Sequence, residues 1–275
     1  MELSKSEIDR LGDRLRAGPP SPSDLQMLSD YRLSFRPAFE LVQSKLQEQG
    51  LSPTGRRAKS TNSIVDKLRR QKTRLSRMQD IAGCRIVVEG LLQQDDLVKK
   101  LPTIFPSVTV MDRRANPSHG YRAVHVIVRV DGKRVEIQTR TLLQHRWAEA
   151  SEKAADTVDP AIKYGGGDMK WKDWLASMSR LMATVEGNEL DIATLEAKLP
   201  GVRERAAPMV KVLALDEISL SFNDFAAPQL TAAIQSNPAA VDALYARILS
   251  ASISIKREII NSIDTKLASL RASET

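Results

Sequence analysis

The sequence predicts an α/β (α+β) fold, in which helices pack against a mixed sheet and a helical extension follows toward the C-terminus. Two alternating apolar runs flank the dipeptide Asp131-Gly132, a pattern typical of a β-hairpin. Upstream of the hairpin, strand-like and helix-like segments alternate, as they do where helices cover a sheet. From about residue 166 helical periodicity dominates, and it ends in one apolar stripe on a long segment that starts near Pro238.

The hairpin has a register that the turn alone specifies. A two-residue turn at Asp131-Gly132 pairs Val130 with Lys133, and every following pair is then fixed. One face is apolar and is expected to lie in the core: Val124, Val126, Val128, Val135, Ile137 and Thr139. The opposite face collects His125, Glu136, Gln138 and Arg140, with His125 opposite Gln138 and Glu136 one pair away. We expect this polar face to be functional, and a merely solvated face is the alternative.

Helices are expected before the first long strand. Residues Ser4 to Arg16 and Leu25 to Gln49 both carry apolar residues three and four positions apart, with Pro37 as an expected kink in the second segment. A basic loop rich in Gly and Pro follows, and a further helix is predicted to run to Arg70 from a capping hydroxyl at Ser60 or from Asn62.

The start of that further helix is a candidate polyphosphate cradle. Ser63 and Lys67 are four positions apart and share one helix face, and Arg57 and Lys59 lie just before the helix. Amide groups at a helix N-terminus and nearby cations are the groups that bind phosphate in proteins. A solvated basic helix is the alternative interpretation.

The next strand is predicted from Asp80 to Val88, and buried strands rarely start with Asp unless the carboxylate has a partner or a metal. A helical crossover from Leu91 to Leu101 and a short strand from Ser107 to Met111 follow. A helix predicted over Leu142 to Asp156 places His145 and Glu149 on one face, where a salt bridge is favoured over a metal pair.

Beyond residue 165 the sequence predicts a helix from Trp171 to Leu199, a linker from Pro200 to Pro208 and the long helix after Pro238. We therefore expect two domains, residues 1–165 and residues 166–275. The second is expected to be a regulatory segment, a fused neutralising segment or an oligomerisation helix that binds another copy of the chain.

Composition narrows the classes of partner. The 275-residue chain has 41 Lys and Arg against 34 Asp and Glu, a formal charge of +7, which favours a nucleotide or nucleic acid as partner. Cys84 is the single cysteine, so no disulfide forms within one chain and a reduced, cytoplasmic setting is expected. No signal peptide and no membrane-spanning stretch are predicted, and with three histidines a structural zinc site is not expected.

The polar residues suggest phosphoryl-type transfer. Asp80 and Glu136 start or line neighbouring strands, and Mg²⁺ is usually held by one or two carboxylates together with substrate phosphates. The surrounding cations fit a transferred anionic group: Arg57, Lys59, Lys67, Arg85 and Arg140. Glu136 is a candidate for taking a proton from an acceptor hydroxyl, and Tyr121 for stacking on a base. No GxxxxGK[ST] motif is present, which argues against a P-loop ATPase.

Several motifs in fixed order resemble one known family. DIAGCRI, NPSHGYRAVH, VEIQTRT and QHRWAE resemble the synthetase domain of the RelA/SpoT family, in particular the small alarmone synthetases, over about Tyr31 to Tyr164. The resemblance implies a nucleotidyltransferase-like fold. It also implies an enzyme that moves the β,γ-pyrophosphate of ATP, with Mg²⁺, onto the 3′-hydroxyl of GDP or GTP. No His-Asp dipeptide is present, so the family's hydrolase half has no counterpart.

The resemblance also implies roles for individual residues. Arg57 and Arg85 would sandwich the adenine, and Lys59, Ser63 and Lys67 would hold the ATP phosphates. Asp80 and Glu136 would be the metal-side carboxylates, with Glu136 as general base and Gln138 beside it. The remaining positions are implied to face the acceptor: Tyr121, Arg122, His125 and Arg140.

The acceptor side departs from the family pattern. The usual loop resembles NPKPNGY, and here it is NPSHGY, one residue shorter and without the Lys that meets the acceptor's 5′ phosphates. Arg113, Arg114 or Arg122 are candidates to replace it, because a neutral His119 cannot. The loop more closely resembles the toxic branch of the family, which pyrophosphorylates the 3′ CCA end of tRNA and which implies an antitoxin partner. A catalytically silent module that binds nucleotide or RNA is the third alternative.

Overall fold

We describe residues 3–56, 59–213 and 238–272 of a computed structural model of the chain. Their contacts divide the chain into two compact units. The first unit comprises Met1–Glu89, Gln93–Asn116 and Arg122–Thr141, and the second comprises Gly90–Leu92, Pro117–Tyr121 and Leu142–Thr275. This division concerns contacts only, and the domain boundary placed after residue 165 stays a prediction.

The first unit contains a five-stranded mixed sheet with the order β1-β2-β5-β4-β3. Its strands are β1 (Thr54–Arg56), β2 (Ala82–Val88), β3 (Val108–Asp112), β4 (Val124–Val130) and β5 (Lys133–Thr141). Strands β2 and β5 are parallel, and the other neighbours are antiparallel. The predicted mixed sheet flanked by helices is confirmed. Strand β1 was not predicted, because its three residues carry no alternation and lie in a segment punctuated by Gly and Pro.

The predicted register of the β4–β5 hairpin is confirmed. Val130 pairs with Lys133, and His125 pairs with Gln138. The two turn residues, Asp131 and Gly132, have φ angles of 47° and 74°, which matches a turn with both central residues in the left-handed region. The predicted apolar face is buried, and its valines and Ile137 belong to one cluster with residues of the flanking helices.

Helices α1 (Lys5–Ala17), α2 (Pro22–Leu33), α3 (Arg36–Glu48), α4 (Thr61–Gln71) and α5 (Leu91–Ile104) accompany the sheet. Side chains of α1, α2 and α4 form one buried cluster, and side chains of α3 and α5 join the apolar face of the sheet in another. Ser4 and Ser21 begin α1 and α2 with capping boxes, in which the serine hydroxyl accepts a hydrogen bond from the third helical amide.

The single helix predicted from Leu25 to Gln49 is wrong. The chain forms two helices, and α2 ends at Leu33 before α3 begins at Arg36. Pro37 explains the interruption, because it has no N–H to donate to the carbonyl of Leu33 and its ring would clash with that carbonyl in a continuous helix. As one of the first residues of α3, Pro37 occupies a position where the missing donor costs nothing.

The second unit is helical and contains α6 (Leu142–Thr157), α7 (Met169–Lys198), α8 (Val202–Leu213) and α9 (Pro238–Ala272). The apolar stripe predicted after Pro238 lies on α9 and packs against α6 and α7 through Ile259, Ile263, Leu267 and Leu270. None of the helices in the described ranges is both long enough and apolar enough to cross a membrane.

The linker predicted from Pro200 to Pro208 is wrong, because most of it lies in α8. Val202 and Ala206, one helical turn apart, are buried together with Tyr245 of α9. Burial of this face favours helix over an exposed linker, and Gly201, with a φ of 79°, makes the turn that precedes it. Pro208 therefore lies inside a helix.

We expect Ile137→Ala to lower the free energy of unfolding by about 2–5 kcal/mol, because the side chain is fully buried in the sheet core. Ile253→Ala is the matched control, since Ile253 is 44% exposed and should change stability by less than about 0.5 kcal/mol. Urea denaturation followed by circular dichroism measures both. Equal effects of the two substitutions would contradict the assignment of the hairpin face to the core.

Candidate active site

The polar face of the hairpin carries a line of hydrogen-bonded side chains around Glu136. One carboxylate oxygen, Oε1, accepts from Nδ1 of His125 at 2.7 Å, and the other, Oε2, accepts from Nε2 of Gln138 at 2.7 Å. The Oε1 atom of Gln138 accepts in turn from Nη2 of Arg140 at 3.0 Å. All four side chains are buried. The predicted convergence of these residues is confirmed as geometry.

Glu136 is 5% exposed and stays ionised. Burial raises the pKa of its carboxyl, but the hydrogen bond and the charge of His125, with the amide of Gln138, outweigh burial and the repulsion from Asp80. The net pKa is below its ordinary value. The site therefore holds an unprotonated carboxylate at neutral pH, which is the state that a proton acceptor needs.

Asp80 is held by two lysines. Its Oδ2 accepts from Nζ of Lys59 at 2.6 Å, and its Oδ1 accepts from Nζ of Lys67 at 2.8 Å. Burial raises the pKa of Asp80, but the two ammonium groups lower it further, to about 2. The partner expected for a carboxylate at the start of a buried strand is thus a pair of cations, one on each side of the N-terminus of α4.

The N-terminus of α4 lies between these two lysines in the chain. Ser60 caps the helix, its hydroxyl accepts from the amide of Ser63 at 3.2 Å, and it donates to the hydroxyl of Ser63 at 2.8 Å. The backbone amide of Lys59 donates to the carbonyl of Ile81 at 3.0 Å, which ties the segment before α4 to the start of β2. Of the predicted cradle, Lys59, Lys67 and the start of α4 are therefore together, whereas Arg57 lies outside the described residues.

Arg85 and Gly83 lie on β2 beside the line of polar residues. Arg85 is in register with Gln138 and Gly83 with Glu136, so they belong to the same face of the sheet. A Cβ atom at Gly83 would lie 2.7 Å from the carbonyl oxygen of Glu136 and 3.2 Å from its Cβ. Glycine is therefore needed there for β2 to pack against the backbone of β5 at Glu136. Arg57, the other predicted adenine contact, lies outside the described residues.

The donor chemistry fits a hard cation. The pKa of each carboxyl, Asp80 and Glu136, is below its ordinary value, and the charge of Asp80 acts on Glu136, because it raises the pKa of that carboxyl against the net shift. Among the described residues no group of three or more His, Cys, Asp or Glu side chains forms a complete metal cage. Two carboxylates with the remaining oxygens from substrate and water is the arrangement that Mg²⁺ usually adopts.

Arginines near the predicted acceptor position have other contacts. The guanidinium of Arg114 pairs with Asp112 at 2.6 Å and with Asp95 at 2.7 Å. Nη1 of Arg122 donates to the carbonyl of Arg114 at 2.5 Å. Arg113, by contrast, is exposed. Of the three cations considered as substitutes for the missing loop Lys, Arg114 is therefore the least suited.

Tyr121 and His119 belong to the second unit. Tyr121 packs with its ring centroid 6.5 Å from that of Trp147. The imidazole of His119 lies against Gly165, where a Cβ atom would be 2.1 Å from its Nδ1 atom. On α6, Nε2 of His145 is 3.6 Å from Oε1 of Glu149, which agrees with the salt bridge rather than a metal pair.

Comparison with known proteins identifies the family to which the chain belongs. A family model described as a region found in RelA and SpoT proteins matches residues 56–156. Uncharacterised proteins of Mycobacterium bovis and Mycobacterium tuberculosis are each 32% identical over 226 residues, which is 78% of this chain and 83% of theirs. The chain belongs to the RelA/SpoT family.

Solved structures agree with this RelA/SpoT assignment. Small alarmone synthetase 1 from Bacillus subtilis is 25% identical with a TM-score of 0.51, and the match covers 63% of this chain and 99% of that one. The same synthetase bound to its product pppGpp is 26% identical with a TM-score of 0.50, covering 62% and 99%. Family and neighbours support a pyrophosphokinase-type transferase, and the α/β fold with C-terminal helices is confirmed.

Two features of this RelA/SpoT protein were not predicted. Lys59 and Lys67 were expected to meet phosphate, and their pairing with Asp80 was missed. The signal was available, since a carboxylate at a strand start needs a partner and two lysines precede it. The close approach at Gly83 was not predicted either, although glycine inside a buried strand often marks close approach of another backbone.

We expect Lys67→Met to raise the pKa of Asp80 toward the ordinary aspartate value, because one of its two cations is removed. The pKa of Asp80, lowered to about 2, means that the ionised carboxylate stabilises the fold at neutral pH. This stabilisation is lost as the pH falls from the ordinary aspartate pKa through about 2. Lys67→Met should therefore reduce the amount of stability that the protein loses on acidification, because less of it depends on an ionised Asp80. NMR titration of the carboxyl carbon measures the pKa.

The control is Lys99→Met, which removes the exposed Lys99–Asp96 contact of 3.9 Å and should leave Asp80 unchanged. An Asp80 pKa that is the same in the Lys67→Met variant as in the wild type would contradict the pairing.

Proposed function

We propose that this protein is an ATP-dependent 3′-pyrophosphokinase, which transfers the β,γ-pyrophosphate of ATP to the 3′-hydroxyl of a guanine nucleotide. One observation carries the proposal above the others. Glu136 is buried and ionised, and it accepts hydrogen bonds from His125 and Gln138. The charge of Asp80, which forms ion pairs with two lysines, acts on it. Family membership supplies the reaction class.

The donor side of the reaction fits the cations of α4. Its first amides, with Lys59, Ser63 and Lys67, suit the phosphates of ATP. The two ammonium groups together carry one more charge than the Asp80 carboxylate that they contact, so a net positive charge is in place for a polyphosphate. We assign Arg57 and Arg85 to the adenine by family position.

Glu136 is proposed to act as the general base. Its carboxylate takes the proton of the acceptor 3′-hydroxyl, the freed oxygen forms a bond to the β-phosphorus, and the bond between that phosphorus and the α,β-bridging oxygen breaks. AMP leaves with that oxygen. His125 and Gln138 hold the carboxylate, and Arg140 acts through Gln138. Bound Mg²⁺ would be held by Asp80 and Glu136 and would neutralise charge on the transferred group.

The acceptor assignment follows the family. Tyr121 is proposed to stack on the acceptor base, with Arg122, His125 and Arg140 as further acceptor contacts. We call Pro117–Tyr121 the acceptor loop. Residues 1–165 are proposed as the synthetase domain and 166–275 as its helical extension. The proposed setting is the cytoplasm, where ATP and either guanine nucleotide or tRNA are present.

A tRNA 3′ end is the second candidate acceptor. The loop lacks the expected Lys, Arg114 is paired with Asp112 and Asp95, and His119 packs on Gly165. These observations favour an acceptor without 5′ phosphates at the reacting nucleoside, and the basic chain suits RNA. Such a protein would inhibit translation and would need a neutralising partner.

Transfer of label from γ-labelled ATP identifies the acceptor. With Mg²⁺ and a mixture of GDP, GTP and total tRNA, label is expected in guanine nucleotide, and label in tRNA instead would establish the second candidate. Glu136→Gln and Asp80→Asn should each reduce transfer by about 100-fold or more, because a base or a carboxylate of the site is lost.

Glu40→Gln is the matched control for these variants, since Glu40 forms only an exposed pair with Arg36 and should transfer at the wild-type rate. Wild-type protein that releases no AMP with any acceptor would contradict both candidates and would leave a catalytically silent nucleotide- or RNA-binding module.

A further inference from the structure

The acceptor loop is a tight turn in a demanding backbone conformation. The amide of Tyr121 donates to the carbonyl of Ser118 at 3.0 Å, and the two residues form an isolated β-bridge. His119 and Gly120, between them, have φ angles of 53° and 89°. Left-handed backbone at a residue other than glycine costs about 1–2 kcal/mol, so contacts from outside the turn must hold His119 there.

Those contacts come from the helices that follow. The hydroxyl of Ser179, on α7, donates to the carbonyl of Gly120 at 2.7 Å, and Ser179 is 3% exposed. Nε1 of Trp147, on α6, donates to the carbonyl of Leu175 at 2.8 Å, which fixes the indole ring to α7. The ring of Tyr121 packs beside that indole. The loop is therefore bonded to α7 and packed on α6.

The fit leaves no spare room at two positions. A Cβ atom at Gly120 would lie 2.8 Å from Cζ2 of Trp147 and 3.3 Å from Cβ of Ser179. A Cβ atom at Gly165 would lie 2.1 Å from Nδ1 of His119. The turn is thus packed closely against α6 and α7 at Gly120 and against the glycine-containing segment before α7 at His119.

Most of this support lies outside the region that defines the family. The family match ends at residue 156, whereas Gly165, Leu175 and Ser179 all follow it. The helical extension therefore supplies part of the environment of a loop that belongs to the family-matched region.

We propose that Ser179 is a positioning residue for the acceptor loop, and that the helical extension thereby sets the affinity for the acceptor. The proposal deepens the proposed function and rests on it. Without the hydroxyl the carbonyl of Gly120 loses this donor, and the turn can relax away from the conformation that presents Tyr121. The residues assigned to ATP lie on β2, α4 and the segment before α4. The affinity for ATP should therefore not change when the Ser179 hydroxyl is removed.

Hydrogen–deuterium exchange tests, without any assay of activity, whether the Ser179 hydrogen bond supports the acceptor loop. Ser179→Ala should speed exchange of the acceptor-loop amides, that of Tyr121 in particular, by about 3- to 10-fold, the range of one net hydrogen bond. Ser177→Ala is the matched control on the same helix, because Ser177 only accepts from exposed Arg180. Ser179→Cys keeps a weak donor of similar size and should fall between.

Steady-state kinetics test whether Ser179 affects the affinity for the acceptor. Ser179→Ala should raise the KM for the acceptor by about 3- to 10-fold, while kcat and the KM for ATP change less than about twofold. Gly165→Ala reaches the loop through His119 instead and should raise the acceptor KM in the same direction. Its control is Gly50→Ala, which has a similar φ of 73° but no atom within 4 Å of the added Cβ.

The outcomes separate this proposal from the proposed function. Unchanged loop exchange in Ser179→Ala, or equal increases in the KM values for acceptor and ATP, would overturn the positioning role. If the wild type transfers no pyrophosphate, the proposed function fails, and the part of the proposal concerning acceptor affinity fails with it. Faster loop exchange in Ser179→Ala would still establish the hydrogen bond as the support of the turn.

Discussion

A buried negative charge at Glu136 is the constraint on which the polar face of the sheet depends. A carboxylate in a water-poor site is costly unless hydrogen bonds and opposite charge compensate for lost hydration. Here both oxygens are satisfied, one by an imidazole and one by an amide, and the hairpin register supplies both donors. A slip of one residue would move all of these groups to the apolar face.

Asp80 is kept ionised by a different means. Glu136 is held by hydrogen bonds from its own strand and the adjacent one, whereas Asp80 is held by ammonium groups at the ends of flexible stems. The first arrangement is rigid, because every partner is anchored in the sheet. The second can be exchanged, because a lysine can move to another anion without disturbing the backbone. The site thus combines a carboxylate with fixed partners, Glu136, and one with replaceable partners, Asp80.

The sequence predicted the features that depend on local pattern. The Asp131-Gly132 turn and the alternation around it were enough for the register, and therefore for the contact between His125, Glu136 and Gln138. The break between α2 and α3 was missed because apolar spacing continues through Pro37, although the backbone cannot. The helix across Pro208 was missed because its burial depends on Tyr245, far along the chain. The hydrogen bond from Ser179 to Gly120 was also not predicted, because a single serine in a helix gives no sequence signal for a distant partner.

The placement of α9 has a consequence for biosynthesis. Its residues Ile259, Ile263 and Leu267 complete the apolar cluster that contains Trp147 and Leu175, the same residues that support the turn at Gly120. A ribosome must therefore translate well beyond the last strand of the sheet, which ends at Thr141, before this cluster can close. While the nascent chain is still emerging, the sheet and its carboxylates can form, but the support of the turn is incomplete. The hydrogen-bonded and packed support of the turn at Gly120 is thus acquired late in synthesis, after the strands of the sheet have been made.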